Sequence, residues 1–244
     1  MIISVSGYAG SGKDTVGKII QYLTTYPSSE NKTDGINRSF NSFLIDVGLG
    51  FEPEWKIKKW ATALRKVAAI LLGMDEEFLY TEEFKNMVLP ECWSKTYERY
   101  KRPSDTIPMT GREFLQKLGT DAIRNGLHEN TWVNALISEY NPTGFDYQDC
   151  IDKEIIGNWK YPNWIITDTR FPNELAAVKE RSGITIRVNR PIYVSSQQNN
   201  TQLLHSSETA LDHISDWDFA IENNGTMEEL IEQVRNVLIK VKVL

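Results

Sequence analysis

The 244-residue chain carries a net charge of -6, with 41% hydrophobic and 25% charged residues, a balance expected of a folded globular protein rather than a disordered one. Its length suits one large core, or a core with an inserted subdomain; no apolar run reaches the roughly 20 residues that span a bilayer, and the acidic balance argues against a broad nucleic-acid surface. Cys92 and Cys150 stand far apart and suggest no disulfide framework, which fits a reducing cytoplasm.

The first predicted element is a short buried strand over Ile2 to Ser6, too short and too poor in basic residues for a signal peptide. From Asp14 the apolar residues Val16, Ile19, Ile20 and Leu23 follow helical spacing. The polar stretch from Thr24 to Asn41 reads as a loop or surface insertion. Trp55 to Ala61 reads as a second strand. A helical stripe of Ala63, Val67, Ala68 and Leu71 follows, closed by Gly73. Residues 75–108 mix charges with Phe84, Trp93 and Tyr97 and form the candidate inserted, mobile subdomain. From Gly111 a helix is expected, with Phe114, Leu118 and Ala122 on one face and Arg112, Gln116, Thr120 and Arg124 on the other. Asn141 to Asn163 reads as another loop. Strands are expected at Trp164 to Ile166, Ile184 to Val188 and Phe219 to Ile221. Thr226 with Glu229 forms a capping box for the last helix. Alternating strands and helices imply an α/β fold with a mostly parallel central sheet, here as one domain over residues 1–244.

The glycines explain the N-terminus. Gly7-Tyr-Ala-Gly10-Ser11-Gly12-Lys13 has the phosphate-loop spacing of Gly, four residues, Gly, Lys. It follows a strand and opens a helix, the context that separates this motif from an ordinary glycine turn. Main-chain N–H groups there approach phosphate closely, the helix N-terminus favours the anion, and Lys13 reaches the outer phosphates. Gly10, Ser11, Gly12, Lys13, Asp14 and Thr15 are therefore the candidate ATP-binding residues. Many such loops place Ser or Thr directly after the lysine to hold Mg²⁺. Here Asp14 occupies that place and Thr15 is displaced by one. Asp14 either binds Mg²⁺ through water or turns away to cap the helix.

Ser11-Gly-Lys-Asp-Thr15 resembles the deoxynucleoside monophosphate kinases of tailed bacteriophages and their phosphomevalonate kinase relatives. Phe114-Leu-Gln-Lys-Leu-Gly-Thr-Asp121 with Thr131-Trp-Val133, Asp168-Thr-Arg-Phe-Pro-Asn-Glu174, His205-Ser-Ser-Glu208 and Asn224-Gly-Thr-Met-Glu-Glu-Leu230 resemble further blocks of that family, in its order. Segments 24–45 and 141–163 show no such match. The resemblance implies a three-layer phosphate-loop kinase fold that uses ATP and Mg²⁺ to phosphorylate a deoxynucleoside monophosphate. It also implies a homodimer, without polymer nucleic acid or membrane, in the cytoplasm of a phage-infected bacterium.

Asp168, at the carboxyl end of a strand, is expected beside the phosphate loop, where it holds Mg²⁺ through water together with Thr15, orients the acceptor phosphate, or merely caps a helix. Arg170 offers a planar fork for the acceptor phosphate. The resemblance places Glu174 at the acceptor site too, although a carboxylate in a helix's first turn is favoured in any case. It also places Arg112, Gly119 and Thr120 at the monophosphate, and a basic residue where Arg65 stands, which is equally readable as a solvated charge. Gly119 costs about 1 kcal/mol relative to Ala in a helix, which a close approach by substrate or backbone would explain. Trp132 either stacks on the acceptor base or belongs to the core. Strand order and resemblance together suggest a lid over residues 190–207, with Arg190 preferred to Arg187 as the arginine that closes on the moving group; His205 and Glu208 either position that lid or contact nucleotide, or belong to a polar loop that feeds a helix. Three alternatives stay open: a kinase of another phosphorylated small molecule such as phosphomevalonate, a non-catalytic nucleotide switch, and a structural module without turnover.

Overall fold

A computed structural model describes residues 1–27, 39–96, 106–145, 159–190 and 209–244. His205, Glu208 and residues 191–207 of the expected lid lie outside them. The chain divides into two compact units, residues 1–59 with 137–244, and residues 60–136.

The first unit begins with β1 (Ile2–Ser6), all of it buried. Helix α1 (Lys13–Thr25) follows and buries Val16, Ile19, Ile20 and Leu23, as their spacing predicts. The polar stretch after it conceals a second helix, α2 (Phe40–Gly48), whose N-cap Ser39 accepts a hydrogen bond from the Ser42 amide. Phe40 and Phe43 from α2 meet Tyr22 of α1 edge-on or tilted, at ring separations of 5.6 and 5.8 Å. That aromatic contact overrides the polar composition around it. The second strand is shorter than expected, β2 (Lys56–Lys58).

The second unit holds α3 (Thr62–Leu72), which ends at Gly73 in a left-handed conformation with φ 63°, then α4 (Glu82–Asn86), capped by Thr81. A short antiparallel pair, β3 (Lys95–Thr96) and β4 (Thr106–Ile107), follows. Next come α5 (Gly111–Gln116), capped by Thr110, and α6 (Thr131–Ile137). Ala68, Leu79, Phe84, Leu89 and Phe114 form its core. The expected insertion at 75–108 is thus part of a larger unit, because Ala68 and Phe114 supply core on either side of it.

The helix expected from Gly111 changes character. Residues 117–124 form a π-helix, where each amide reaches five residues back: the Asn125 N–H donates to the Thr120 carbonyl at 2.9 Å. The widened turn rotates the faces, so Gly119 and Thr120 become buried and Ala122 exposed. The predicted apolar stripe fails at Ala122 for that reason.

Back in the first unit, β5 (Gly144–Phe145) pairs antiparallel with β6 (Trp159–Lys160) inside the stretch read as a loop. Then come β7 (Trp164–Thr169), α7 (Pro172–Lys179), β8 (Ile184–Asn189), β9 (Phe219–Glu222) and α8 (Met227–Lys240). The capping box of Thr226 and Glu229 opens α8. Five strands make one parallel sheet in the order β2-β7-β1-β8-β9. In its middle Ile3 stands opposite Ile165 on one side and Ile184 on the other. Strands buried on both faces read as apolar runs, which made them legible. No helix among the described residues is long and apolar enough to cross a membrane.

Candidate active site

The loop after β1 is shaped by what its glycines exclude. A Cβ on Gly7 would stand 2.5 Å from both the Ser11 Oγ and the Val188 carbonyl oxygen. Gly12 adopts φ 99°, and its Cβ would lie 2.3 Å from Nδ2 of Asn223. Only glycine satisfies both the angle and the space. Gly12 is also the N-cap of α1 and supplies no side-chain cap, and a helix N-terminus of this kind favours an anion. Ser11 Oγ is buried and has no hydrogen-bond partner among the described residues, an orphan donor that suits a phosphate oxygen. Lys13 is only 9% exposed and donates from Nζ to the Tyr8 carbonyl at 2.7 Å. This loop fits a polyphosphate.

Asp14 turns toward the sheet rather than capping α1. Its Oδ1 accepts from Oγ1 of Thr167 on β7 at 2.7 Å and from Nζ of Lys59, just past β2, at 3.1 Å. Desolvation by the surrounding protein raises its pKa, but the Thr167 hydrogen bond and the Lys59 and Lys13 charges prevail and hold it below the ordinary carboxylate value.

β7 delivers Asp168, half-buried, and Arg170 just beyond its end. Glu174, 2% exposed, turns back on that junction: Oε2 accepts the Arg170 N–H at 2.7 Å and the Phe171 N–H at 3.1 Å. The favoured first-turn carboxylate is therefore realised as a cap that fixes the turn carrying Arg170.

On the other side of β1, Arg187 of β8 is fixed in place. It donates to Ser6 Oγ at 3.3 Å, pairs with Asp212 at 3.4 Å, and lies against the Tyr8 and Trp217 rings at 5.1 and 5.6 Å. Burial, then the Asp212 hydrogen bond and charge, raise the Tyr8 pKa. Arg190, exposed past the end of β8, directs its guanidinium to the Gly10 carbonyl at 3.4 Å. Asn223, at the end of β9, donates from Nδ2 to the Ser11 carbonyl at 2.8 Å.

The second unit carries its own candidates. Arg65 donates to the Leu79 carbonyl at 3.4 Å and lies over the Tyr80 ring at 4.2 Å. Arg112 pairs with Glu82 at 3.3 Å and stays half exposed. A Cβ on Gly119 would stand 2.8 Å from Cδ2 of Leu64, so the close approach that favours glycine there comes from a leucine side chain rather than from backbone. Trp132 is 6% exposed, and its indole N–H donates to the Gly119 carbonyl at 2.9 Å; of the two roles expected, these contacts match the core one. Leu71, Phe114, Leu118, Lys117 and Asp121 help line a cleft of about 510 Å³ in this unit, which the sequence did not announce.

No group of three or more His, Cys, Asp or Glu side chains gathers to hold a metal among the described residues. Magnesium needs no such cage. It commonly takes one or two carboxylates, waters and substrate phosphates.

Sequence comparison decides the family. The sequence model described as deoxynucleotide monophosphate kinase matches residues 56–234. The chain belongs to the deoxynucleotide monophosphate kinase family. A protein of Acanthamoeba polyphaga mimivirus, provisionally described as such a kinase, is 29% identical over 79% of this chain and 85% of its own. The deoxynucleotide monophosphate kinase of Enterobacteria phage T4 is 32% identical over 66% of this chain and 58% of its own. That of Escherichia phage RB69 is 24% identical but spans 97% and 99%. The family match spans Asp168, Arg170 and Glu174 and all the second-unit candidates, while the phosphate loop precedes it.

Sequence reasoning missed Lys59, Thr167 and Asn223. Each is an ordinary polar residue in a strand or just past its end, and only the strand order brings it to the loop.

Proposed function

We propose that this kinase transfers the γ-phosphoryl group of ATP, with Mg²⁺, to a deoxynucleoside 5′-monophosphate, giving the diphosphate and ADP. The observation that carries the donor half is the cradle itself: the orphan Ser11 Oγ, the uncapped α1 amides and Lys13 in a loop that excludes any Cβ at Gly7 and Gly12. Membership of the family supports the acceptor half.

Lys13 and the loop amides hold the donor phosphates and meet the charge that grows during transfer. Thr15 and Asp168 hold magnesium, which when bound screens the phosphate charge. Arg170 grips the acceptor phosphate, on a turn fixed by Glu174. Arg65, Arg112, Gly119 and Thr120 are proposed acceptor residues of the second unit, with Trp132 behind them in its core. Arg190 contributes the lid-side charge. An oxygen of the acceptor phosphate attacks the γ-phosphorus as its bond to the ADP oxygen breaks. That acceptor oxygen is already ionised, so no general base is assigned. A homodimer acting in the cytoplasm of a phage-infected bacterium completes the proposal.

The test is a coupled assay of the purified chain with MgATP against a panel of ribo- and deoxynucleoside monophosphates and phosphomevalonate. Turnover is expected with at least one deoxynucleoside monophosphate. Turnover with phosphomevalonate alone, or with nothing on the panel, would reject the reading.

A further inference from the structure

We propose that Lys59 is a positioning residue of the nucleotide site: its ammonium neutralises Asp14, so that the loop accepts a polyphosphate although a carboxylate follows its lysine. This rests on ATP being the donor.

The sequence sets a problem of charge. Asp14 is next to Lys13 in the first turn of α1, and a negative side chain there repels an incoming polyphosphate. Taken alone, Lys13 and Asp14 cancel. The sheet supplies the missing positive charge. β2 pairs with β7 through Ile57 opposite Ile165 and Lys58 opposite Ile166, which carries Lys59 alongside Thr167. From there the Lys59 Nζ comes within 3.1 Å of Asp14 Oδ1, the same atom to which Thr167 donates at 2.7 Å.

The neighbouring lysines do different things. Lys56 pairs with Glu52 at 2.7 Å, and Lys58 pairs with Glu139 at 2.9 Å while lying over the Trp164 ring. Successive strand residues point to opposite faces, so Lys59 departs from Lys58 and turns to the phosphate loop. Its side chain is 29% exposed and that of Asp14 64%, so solvent and salt screen part of the pair. An ion pair serving only the sheet edge would have the same geometry but no consequence for nucleotide affinity.

Calorimetric titration of the full chain with ATP separates these roles, with thermal melts to verify folding. Lys59→Met is expected to weaken ATP binding about tenfold, and less in high salt. Lys59→Arg should stay near wild type. Lys59→Met combined with Asp14→Asn should regain most of the lost affinity, because removing the carboxylate removes the need for its partner. Should Lys59→Met alone fail to fold, the comparison is made in the Asp14→Asn background, where adding Lys59→Met should change ATP affinity by less than twofold. Unchanged affinity in Lys59→Met, or a double variant as weak as Lys59→Met alone, overturns the inference while leaving the kinase assignment intact. Wild-type protein that binds no ATP overturns both.

Discussion

Asn223 fastens the phosphate loop from the edge strand of the sheet: its Nδ2 donates to the Ser11 carbonyl at 2.8 Å, while its own backbone N–H donates to the Asn189 carbonyl at 2.8 Å. The Ser11 carbonyl is thereby held toward Asn223 at the edge of the candidate phosphate site. A net hydrogen bond of this kind contributes about 0.5–1.5 kcal/mol. Asn223→Ala should therefore weaken ATP binding by roughly two- to tenfold, with turnover at saturating ATP changed less. Asn223→Asp, which replaces the donor by a carboxylate facing a carbonyl, should be worse than Ala. Equal ATP affinity in all three proteins would show that the contact is incidental.

Lys13 invites a sharper test. Its Nζ donates to the Tyr8 carbonyl within the loop, and Lys13 stands outside the apolar cluster that holds β1 and α1 together. Removing one preorganised charge aimed at a transition state costs about 10²–10³ in turnover. Lys13→Ala should therefore melt close to wild type yet lose that much kcat in the coupled assay. Near-normal turnover would remove Lys13 from the mechanism.

Glu174 predicts a stability effect instead. Its buried carboxylate accepts two backbone N–H groups, from Arg170 and Phe171, and deleting it removes both bonds. An unsatisfied buried group costs about 1–3 kcal/mol, so Glu174→Ala should lower the urea midpoint by a corresponding amount. Because the same bonds fix the turn carrying Arg170, KM for the acceptor should rise while KM for ATP holds. A variant with wild-type stability and an unchanged acceptor KM would contradict both roles.

Much of this was legible because buried parallel strands and amphipathic helices leave local patterns. β1, β8, α1 and α8 lie close to where their apolar residues put them, and the glycine spacing located the loop. What escaped detection depends on tertiary context. Phe40 and Phe43 sit in polar surroundings and become a helix face only against Tyr22. The π-helix over 117–124 shifts the faces by a change of hydrogen-bond register that no side-chain period announces. Lys59 and Thr167 meet Asp14 only because β2 lies beside β7. Motif spacing identified the residues of the cradle, but not the residues that hold it.

Asp14 finally ties the site to pH. Its pKa is held below the ordinary value in the folded chain, since the Thr167 hydrogen bond and the Lys59 and Lys13 charges outweigh desolvation. A carboxyl depressed on folding contributes stability that is fully present above its unfolded value of 3.8 and is lost as pH falls through the folded value. Asp14→Asn keeps the shape but has no charge to lose. The melting temperature of wild type should therefore exceed that of Asp14→Asn by a constant margin at pH 7 and pH 6, and the margin should shrink below about pH 3.8. The side chain is 64% exposed, so solvent screening keeps the margin small and added salt should reduce it further. A difference between the two proteins that stays the same down to pH 2.5 would mean that the carboxylate gains nothing from Lys59 and Thr167 on folding.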